Sequence, residues 1–372
     1  MKQIFLDYQP YGITKKYDVW FYNNFPKNLP GKKINYFPRM LVIYDEILPE
    51  HLIVKIKTLL IPFSKNIESH PFTCGSKSLT SLSKIWEKMV DFVPDILVGV
   101  GGGTISDLVG LASATYQRGI PDILFPTTPL GMVDASLGGK TAIDFHHVKN
   151  SIGRMHYPLA VINILEMMKT LPKDEFISGF SEAVKGAVIF DKHYFEELEN
   201  NVQNILTFNN SDKLCEIFAQ AAKLKMLNAE APSSHKIKLL YGHAIGHAIE
   251  VCSNDHFRHG DAVSIGMTIE GAMAYLLKYW DIDEWRRQTK LLLNLSLPIK
   301  FPNTLNVDSV FNRMSLYKKL VRDGEYGFIF PSSIGNVVKQ RDGYVTYIPI
   351  SKAKKLFEQA ITLINSELSL MH

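Results

Sequence analysis

His243 and His247 stand four residues apart in the run Leu240-Tyr-Gly-His-Ala-Ile-Gly-His-Ala-Ile-Glu250, and His259 follows in His259-Gly-Asp-Ala-Val263. On a helix, residues four apart share a face, so two imidazoles can address one point. The interval to His259 is long enough for that helix to end and a second one to bring a third nitrogen. Zinc takes nitrogen and oxygen ligands, and a catalytic zinc keeps one position open for water or substrate, so three protein ligands suffice. The set still needs an acidic partner from elsewhere in the chain. The competing explanation is three ordinary histidines on a half-buried helix.

A second group of residues lies upstream. Val98-Gly-Val-Gly-Gly-Gly-Thr-Ile-Ser-Asp107 follows an apolar run and opens a helical pattern. Glycines there let a backbone approach a pyrophosphate, and a helix N-terminus offers it free N–H groups and partial positive charge. Gly99 and Gly101 fit a dinucleotide fingerprint, but Thr104 stands at its third glycine, so a plain tight turn is the alternative. In Phe125-Pro-Thr-Thr-Pro129 the hydroxyls of Thr127 and Thr128 suit either a nicotinamide or ribose, or the cap of the next helix.

The elements that must position these residues fall into two regimes. Up to about residue 165, short runs rich in β-branched residues (Met40-Leu-Val-Ile-Tyr44, Asp95-Ile-Leu-Val-Gly-Val100, Ile123-Leu-Phe125, Leu159-Ala-Val-Ile-Asn-Ile164) alternate with helical spacing over 81–92 and 106–116. That alternation predicts an α/β domain with an open sheet over 1–165. From there the pattern is mostly helical, over 175–188, 194–200, 213–228, 243–251, 262–279, 282–293 and 352–368, which predicts a helical domain over 166–372. No repeat or low-complexity tract interrupts either half.

Composition narrows the function classes. The chain has 372 residues, 46% hydrophobic and 21% charged, enough for two domains with their own cores. Its 41 basic and 37 acidic residues are interleaved, which argues against a nucleic-acid partner while leaving room for local basic pockets that bind an anion. Cys74, Cys215 and Cys252 form no CxxC pair and suit a reducing compartment. No stretch has the apolar length of a membrane span, and the first ten residues carry too short an apolar core for a signal peptide, so the expected location is cytoplasmic.

Taken together, these blocks resemble the dehydroquinate synthase superfamily of sugar phosphate cyclases. The likeness runs from about Asp95 to Gly335, through Gly101-Gly-Gly-Thr-Ile-Ser-Asp-Leu-Val-Gly110, Ala114-Thr-Tyr-Gln-Arg-Gly119, Pro126-Thr-Thr128, Asp134-Ala-Ser-Leu-Gly-Gly-Lys-Thr141, Lys149-Asn-Ser-Ile-Gly153, Ser181-Glu-Ala-Val-Lys185 and the two histidine motifs. The resemblance implies a Rossmann-like NAD-binding domain and a helical metal-binding domain, in a homodimer that cyclises a phosphorylated sugar with loss of phosphate. It implies that Glu182, His243 and His259 hold Zn2+ or Co2+, so that Glu182 is the acidic partner. His247 would transfer protons, Lys185 would bond substrate hydroxyls, and Asp134 would orient the substrate.

For the phosphate and the rest of the substrate it implies Lys140, Asn150, Lys223, Lys236, either Lys318 or Lys319, and Arg118 reaching in from the neighbouring subunit. For NAD it implies Asp45, Lys77, Gly101, Gly102, Gly103, Thr104, Asp107, Thr127, Thr128, Lys149 and Thr170. Several positions depart from dehydroquinate synthase proper. Lys236 and Leu240 stand where that enzyme carries an arginine and an asparagine that bind carboxylate and phosphate; leucine makes no hydrogen bond, and lysine lacks the planar fork. Gly75-Ser-Lys77 is shorter than the family's Gly-Glu-x-x-Lys, and Asn163 replaces an aspartate after a strand. Lys236 and Leu240 favour the branches that cyclise glucose 6-phosphate or sedoheptulose 7-phosphate over the shikimate-pathway reaction, while the other two departures bear on the adenosine side of the cofactor. A metal-dependent polyol or glycerol dehydrogenase shares the architecture but has no use for a phosphate cluster.

Overall fold

The structure is a computed structural model that describes residues 2–8, 17–30, 34–73, 75–146, 148–229, 231, 233–254 and 256–369. Cys74 lies outside the described residues. The chain forms two compact units, Met1–Phe176 with Asn210–Met226, and Ile177–Asn209 with Leu227–His372. The segment 210–226 therefore packs with the first unit, although the helical pattern of the sequence groups it with the second.

The first unit contains strands β1 (Gln3–Tyr8), β2 (Tyr17–Tyr22), β3 (Arg39–Asp45), β4 (Asn66–Phe72), β5 (Ile96–Gly101), β6 (Asp122–Pro126), β7 (Lys140–Phe145), β8 (Val148–Met155) and β9 (Ala160–Ile164). Seven of them form one sheet in the order β1-β2-β9-β6-β5-β3-β4, parallel except for the β1–β2 pair. The central strands read as unbroken apolar runs because both faces are covered: Ile96, Leu97, Val98 and Val100 of β5 are fully buried. Burial of each such side chain stabilises the fold by ~1.5–3 kcal/mol. Helices α1 (Glu50–Leu60), α2 (Leu79–Phe92) and α3 (Gly103–Thr115) connect the parallel strands, and β7 and β8 pair as a separate hairpin.

The connection leaving β3 leads to β4 on one side, whereas β5 lies on the other side of β3. That reversal is a topological switch point, where open α/β sheets bind ligands outside the carboxyl ends of their strands. Asp45 closes β3 and Gly101 closes β5 at this crevice. Asn163, expected after a strand, lies inside β9, fully buried, where its amide donates to the Trp20 carbonyl at 3.2 Å. Its role there is to join β9 to β2.

The chain continues through α4 (Lys173–Ser178), α5 (Phe180–Phe190), α6 (Lys192–Asn200), α7 (Val202–Thr207), α8 (Ser211–Ala229), α9 (Ser233–Lys236), α10 (His243–Cys252), α11 (His259–Leu276), α12 (Ile282–Asn294), α13 (Val307–Arg313) and α14 (Ile350–Leu368). The C-terminal part also holds five short strands, β10 (Val321–Arg322), β11 (Glu325–Phe328), β12 (Pro331–Ser333), β13 (Asn336–Val337) and β14 (Thr346–Pro349), in a three-stranded and a two-stranded sheet. No helix among the described residues is long and apolar enough to cross a membrane.

Helix α11 begins at His259, three residues earlier than its apolar pattern predicts, and runs through the core with Ile265, Met267, Ile269 and Met273 fully buried. Glu270 is buried among them, with the backbone N–H groups of Gly242 and Ile329 beside its carboxylate. Burial pushes this carboxyl from an ordinary 4.5 up to about 8. The folded chain thus keeps a proton that the unfolded chain releases, so stability falls as pH rises through that window. Glu270→Gln is expected to match the parent in urea melts at pH 4 and to exceed it at pH 8.5, by on the order of a few kcal/mol. Parallel stability profiles for the two proteins would refute this account of Glu270.

Candidate active site

Three helices of the second unit converge. Helix α5 carries Glu182 and Lys185 one turn apart on one face, α10 carries His243 and His247 likewise, and α11 opens with His259. Close helix contact makes this possible. A Cβ at Gly260 would stand 1.8 Å from the Ser178 carbonyl oxygen, and one at Gly266 2.0 Å from that of Gly242, so side chains are excluded where α11 meets α4 and the start of α10.

Each outer imidazole turns one nitrogen to a protein acceptor. His243 Nδ1 is 3.0 Å from the Tyr241 carbonyl, and His259 Nδ1 is 3.4 Å from Glu250 Oε2. Their Nε2 atoms then face Glu182 Oε1, at 3.5 Å and 3.6 Å. Glu182 Oε2 is held by the Lys185 ammonium, but Oε1 is sealed from solvent and has no hydrogen-bond partner. Two imidazole nitrogens set by acceptors behind them, around a buried and unsatisfied carboxylate oxygen, make a donor set that a divalent ion fits. Ring nitrogens of His243, His247 and His259 also lie within 4.8 Å of one another, so the third imidazole borders the same point.

The electrostatics suit a cation. Burial opposes ionisation of Glu182, but Lys185, His259 and His243 outweigh it and hold the carboxyl well below its usual range. Burial, aided by the charge of Lys185, keeps the His243 imidazole neutral and ready to ligate. Burial likewise disfavours charge on His259, yet Glu182 and Glu250 raise it to about 9. Its proton must leave when an ion binds.

The expected cofactor residues gather in the first unit. Gly102 caps α3 without a side-chain bond, so the first N–H groups of that helix have no side-chain cap. Gly101 is also required by packing, because a Cβ there would meet Ile105 at 2.6 Å; the tight turn and the open helix end are one feature. Lys77 Nζ donates to Asp107 Oδ2 at 2.6 Å and to the side-chain oxygen of Asn150, and the Asn150 N–H donates to Asp144 at 2.7 Å. Burial raises the Asp107 carboxyl despite Lys77. Thr128 Oγ1 accepts from the Gly131 N–H at 3.0 Å, which favours the capping explanation for that hydroxyl, while Thr127 is buried with its N–H on the Gly101 carbonyl. The Thr170 hydroxyl bonds the Met167 carbonyl. Thr104 lies in the first turn of α3.

Asp134 stands in a five-residue π-helical turn, Gly131–Ala135, a distortion frequent at functional sites. Its ion-pair partner is Lys225 of α8, which sequence reasoning missed; Lys223, expected as a substrate or phosphate ligand, is exposed. Lys140, Lys149 and Lys319 are exposed, Lys236 is half-exposed, and the Lys318 side chain lies outside the described residues. Arg118 is exposed on a turn in which it and Gln117 both take left-handed backbone (φ 71° and 46°), unusual for residues other than glycine. Sequence reasoning also missed Glu250 as the partner of His259, although it closes the quoted histidine motif, and Tyr317, whose ring packs on His247.

The family models for the 3-dehydroquinate synthase N-terminal and C-terminal regions match residues 73–178 and 179–320. The 3-dehydroquinate synthase of Prochlorococcus marinus (strain AS9601) is 40% identical over 271 residues, covering 70% of this chain and 74% of that protein. Among solved structures, 2-deoxy-scyllo-inosose synthase complexed with carbaglucose-6-phosphate, NAD+ and Co2+ superposes with a TM-score of 0.83 at 21% identity, over 95% of this chain and 99% of its own. The 2-epi-5-epi-valiolone synthase of Streptomyces hygroscopicus subsp. jinggangensis 5008, with NAD+ and Zn2+ bound, gives 0.81 at 22% identity, over 97% and 100%. The chain belongs to the 3-dehydroquinate synthase family, the sugar phosphate cyclases, which are carbon–oxygen lyases.

Proposed function

We propose that this protein uses NAD and a divalent ion to cyclise a phosphorylated sugar that bears no carboxylate, of the inosose-forming or valiolone-forming kind. The observation that carries the proposal is the buried Glu182 oxygen without a partner, facing His243 and His259. Zinc or cobalt fits that donor set, and NAD fits the open end of α3 beside Asp45 at the switch point. Bound there, the ion supplies Lewis acidity and NAD supplies reversible hydride transfer, which together acidify a C–H bond so that phosphate can leave by β-elimination.

The chain's own groups do the remaining work. Lys185 is held against Glu182 and can donate to substrate hydroxyls without losing its counter-charge. His247 takes and returns protons at an imidazole nitrogen. Asp134, with Lys225 as its cation, orients the sugar. Lys140, Asn150, Lys319 and Lys236 supply cations and an amide for the phosphate, and Arg118 serves the phosphate of a neighbouring subunit in a homodimer. Asn150 is bonded to Lys77 in this structure, so it serves both cofactor and phosphate sides only by exchanging partners.

Leu240 and Lys236 support a substrate without a carboxylate, since neither reproduces a planar two-bond grip. The second reading, 3-dehydroquinate synthase itself, is favoured by the relative from Prochlorococcus marinus. Incubation with NAD, Zn2+ and in turn glucose 6-phosphate, sedoheptulose 7-phosphate and the shikimate-pathway heptulosonate 7-phosphate separates the readings. Phosphate release from one of the first two, with a carbocyclic product mass and no net NADH, is the expected result. Turnover of the heptulosonate alone would move the assignment to the second reading. NADH accumulation without phosphate release would make the protein a polyol dehydrogenase.

A further inference from the structure

Tyr317 is the single residue between two 3-10 turns, Met314–Leu316 and Lys318–Leu320. Its backbone is closed on both sides: its N–H donates to the Met314 carbonyl at 2.9 Å, and its carbonyl accepts from the Leu320 N–H at 2.9 Å. The ring of this half-buried residue meets the His247 imidazole at 80°, with centroids 5.1 Å apart. On its other sides His247 faces the rings of His243 at 5.2 Å and His259 at 5.7 Å. Glu250, the carboxylate nearest in sequence, lies 3.9 Å from His247 Nε2 and closer, at 3.4 Å, to His259 Nδ1, so it favours the metal-facing ring.

We propose that Tyr317 is a positioning residue: carried on a backbone closed by the two turns, its ring holds the His247 imidazole edge to face and so sets the direction in which His247 meets the substrate. The same backbone carries Lys319, so the aim of the acid–base group and the placement of an expected phosphate cation are set by one turn. An edge-to-face pair weights the held ring orientation by roughly 2- to 10-fold. This inference rests on the reading of His247 as the proton-transfer group.

The test compares Tyr317→Phe, Tyr317→Leu and His247→Gln in the zinc-loaded, NAD-bound enzyme, by phosphate release from whichever of the three panel sugars turns over. Tyr317→Phe keeps the ring and is expected to retain kcat. Tyr317→Leu is expected to lower kcat by roughly 2- to 10-fold with KM changed less than about twofold. A readout that needs no turnover is the His247 ring resonance in metal-free protein with 13C-labelled histidine, assigned by its loss in His247→Gln. It is expected to shift in the leucine variant and to stay in place in the phenylalanine variant. Should Tyr317→Leu fail to fold, Tyr317→Met is read by the same two signals. Full kcat in the leucine variant while His247→Gln is inactive would overturn the role of Tyr317. An equal loss in the phenylalanine variant would also overturn it, by transferring the effect to the hydroxyl. Full kcat in His247→Gln would instead defeat the reading of His247, whatever the tyrosine variants do.

Discussion

Glu182→Gln is expected to lose its divalent ion and its turnover together, with zinc affinity falling by more than the ~10- to 100-fold that loss of an outer partner costs. Glutamine fills the same space but brings no charge, and the oxygen facing His243 and His259 has no hydrogen-bond partner. The change also strands the Lys185 ammonium, which is as buried as its partner. A buried charge left without its counter-charge costs ~3–5 kcal/mol, so a lower melting temperature is expected as well. His259→Ala keeps the Glu182–Lys185 pair and separates loss of the ion from loss of the fold. Zinc titration calorimetry and elemental analysis after dialysis read the affinity, and phosphate release reads turnover. Stoichiometric ion and full activity in either variant would defeat the site.

The second large effect is expected from a single methyl group. Gly260→Ala puts a carbon 1.8 Å from a backbone oxygen of Ser178, a contact that no side-chain rotation relieves. Overpacking of this kind costs ~1–3 kcal/mol or more, and with backbone on both sides the upper end applies. At ~2–4 °C per kcal/mol the melting temperature falls by roughly 6–12 °C. The next residue back is His259, so zinc affinity is expected to fall in parallel with stability. Gly75→Ala, which meets no atom within 4 Å, is the control and is expected to be close to neutral. Equal melting temperatures for the two variants would show that α11 and the end of α4 can separate at little cost.

The parts of this protein that could be read from its sequence are those written in local spacing. The four-residue step between His243 and His247 survives as one face of α10, and the buried parallel strands announce themselves as apolar runs bounded by Pro, Gly or Asp. Strands β4 and β8 carry no such signal: one ends in Ser69-His-Pro-Phe72 with a partly open surface, and the other is exposed along its whole length. Lys223 and Lys225 are two residues apart on one helix, so they point in different directions, and only the packing of α8 decides which meets Asp134. Glu182 was recognisable through its motif, but its meeting with two histidines more than sixty residues away is a tertiary fact. Tyr317 offers no local pattern at all.

The return of α8 to the first unit bears on how the chain is made. Its anchors there are the Lys2–Glu216 and Asp134–Lys225 ion pairs and the bond from Asn23 to Asp212, all of which span long stretches of sequence. A nascent chain that has just delivered residue 176 lacks this helix. At roughly 5–20 residues per second, the helix arrives only after ~3–10 s more of synthesis. During that interval the half-built sheet unit stands without one of its flanking elements, while the 177–209 stretch waits for later companions. Synonymous codons that slow the ribosome between 177 and 226 would lengthen that exposure.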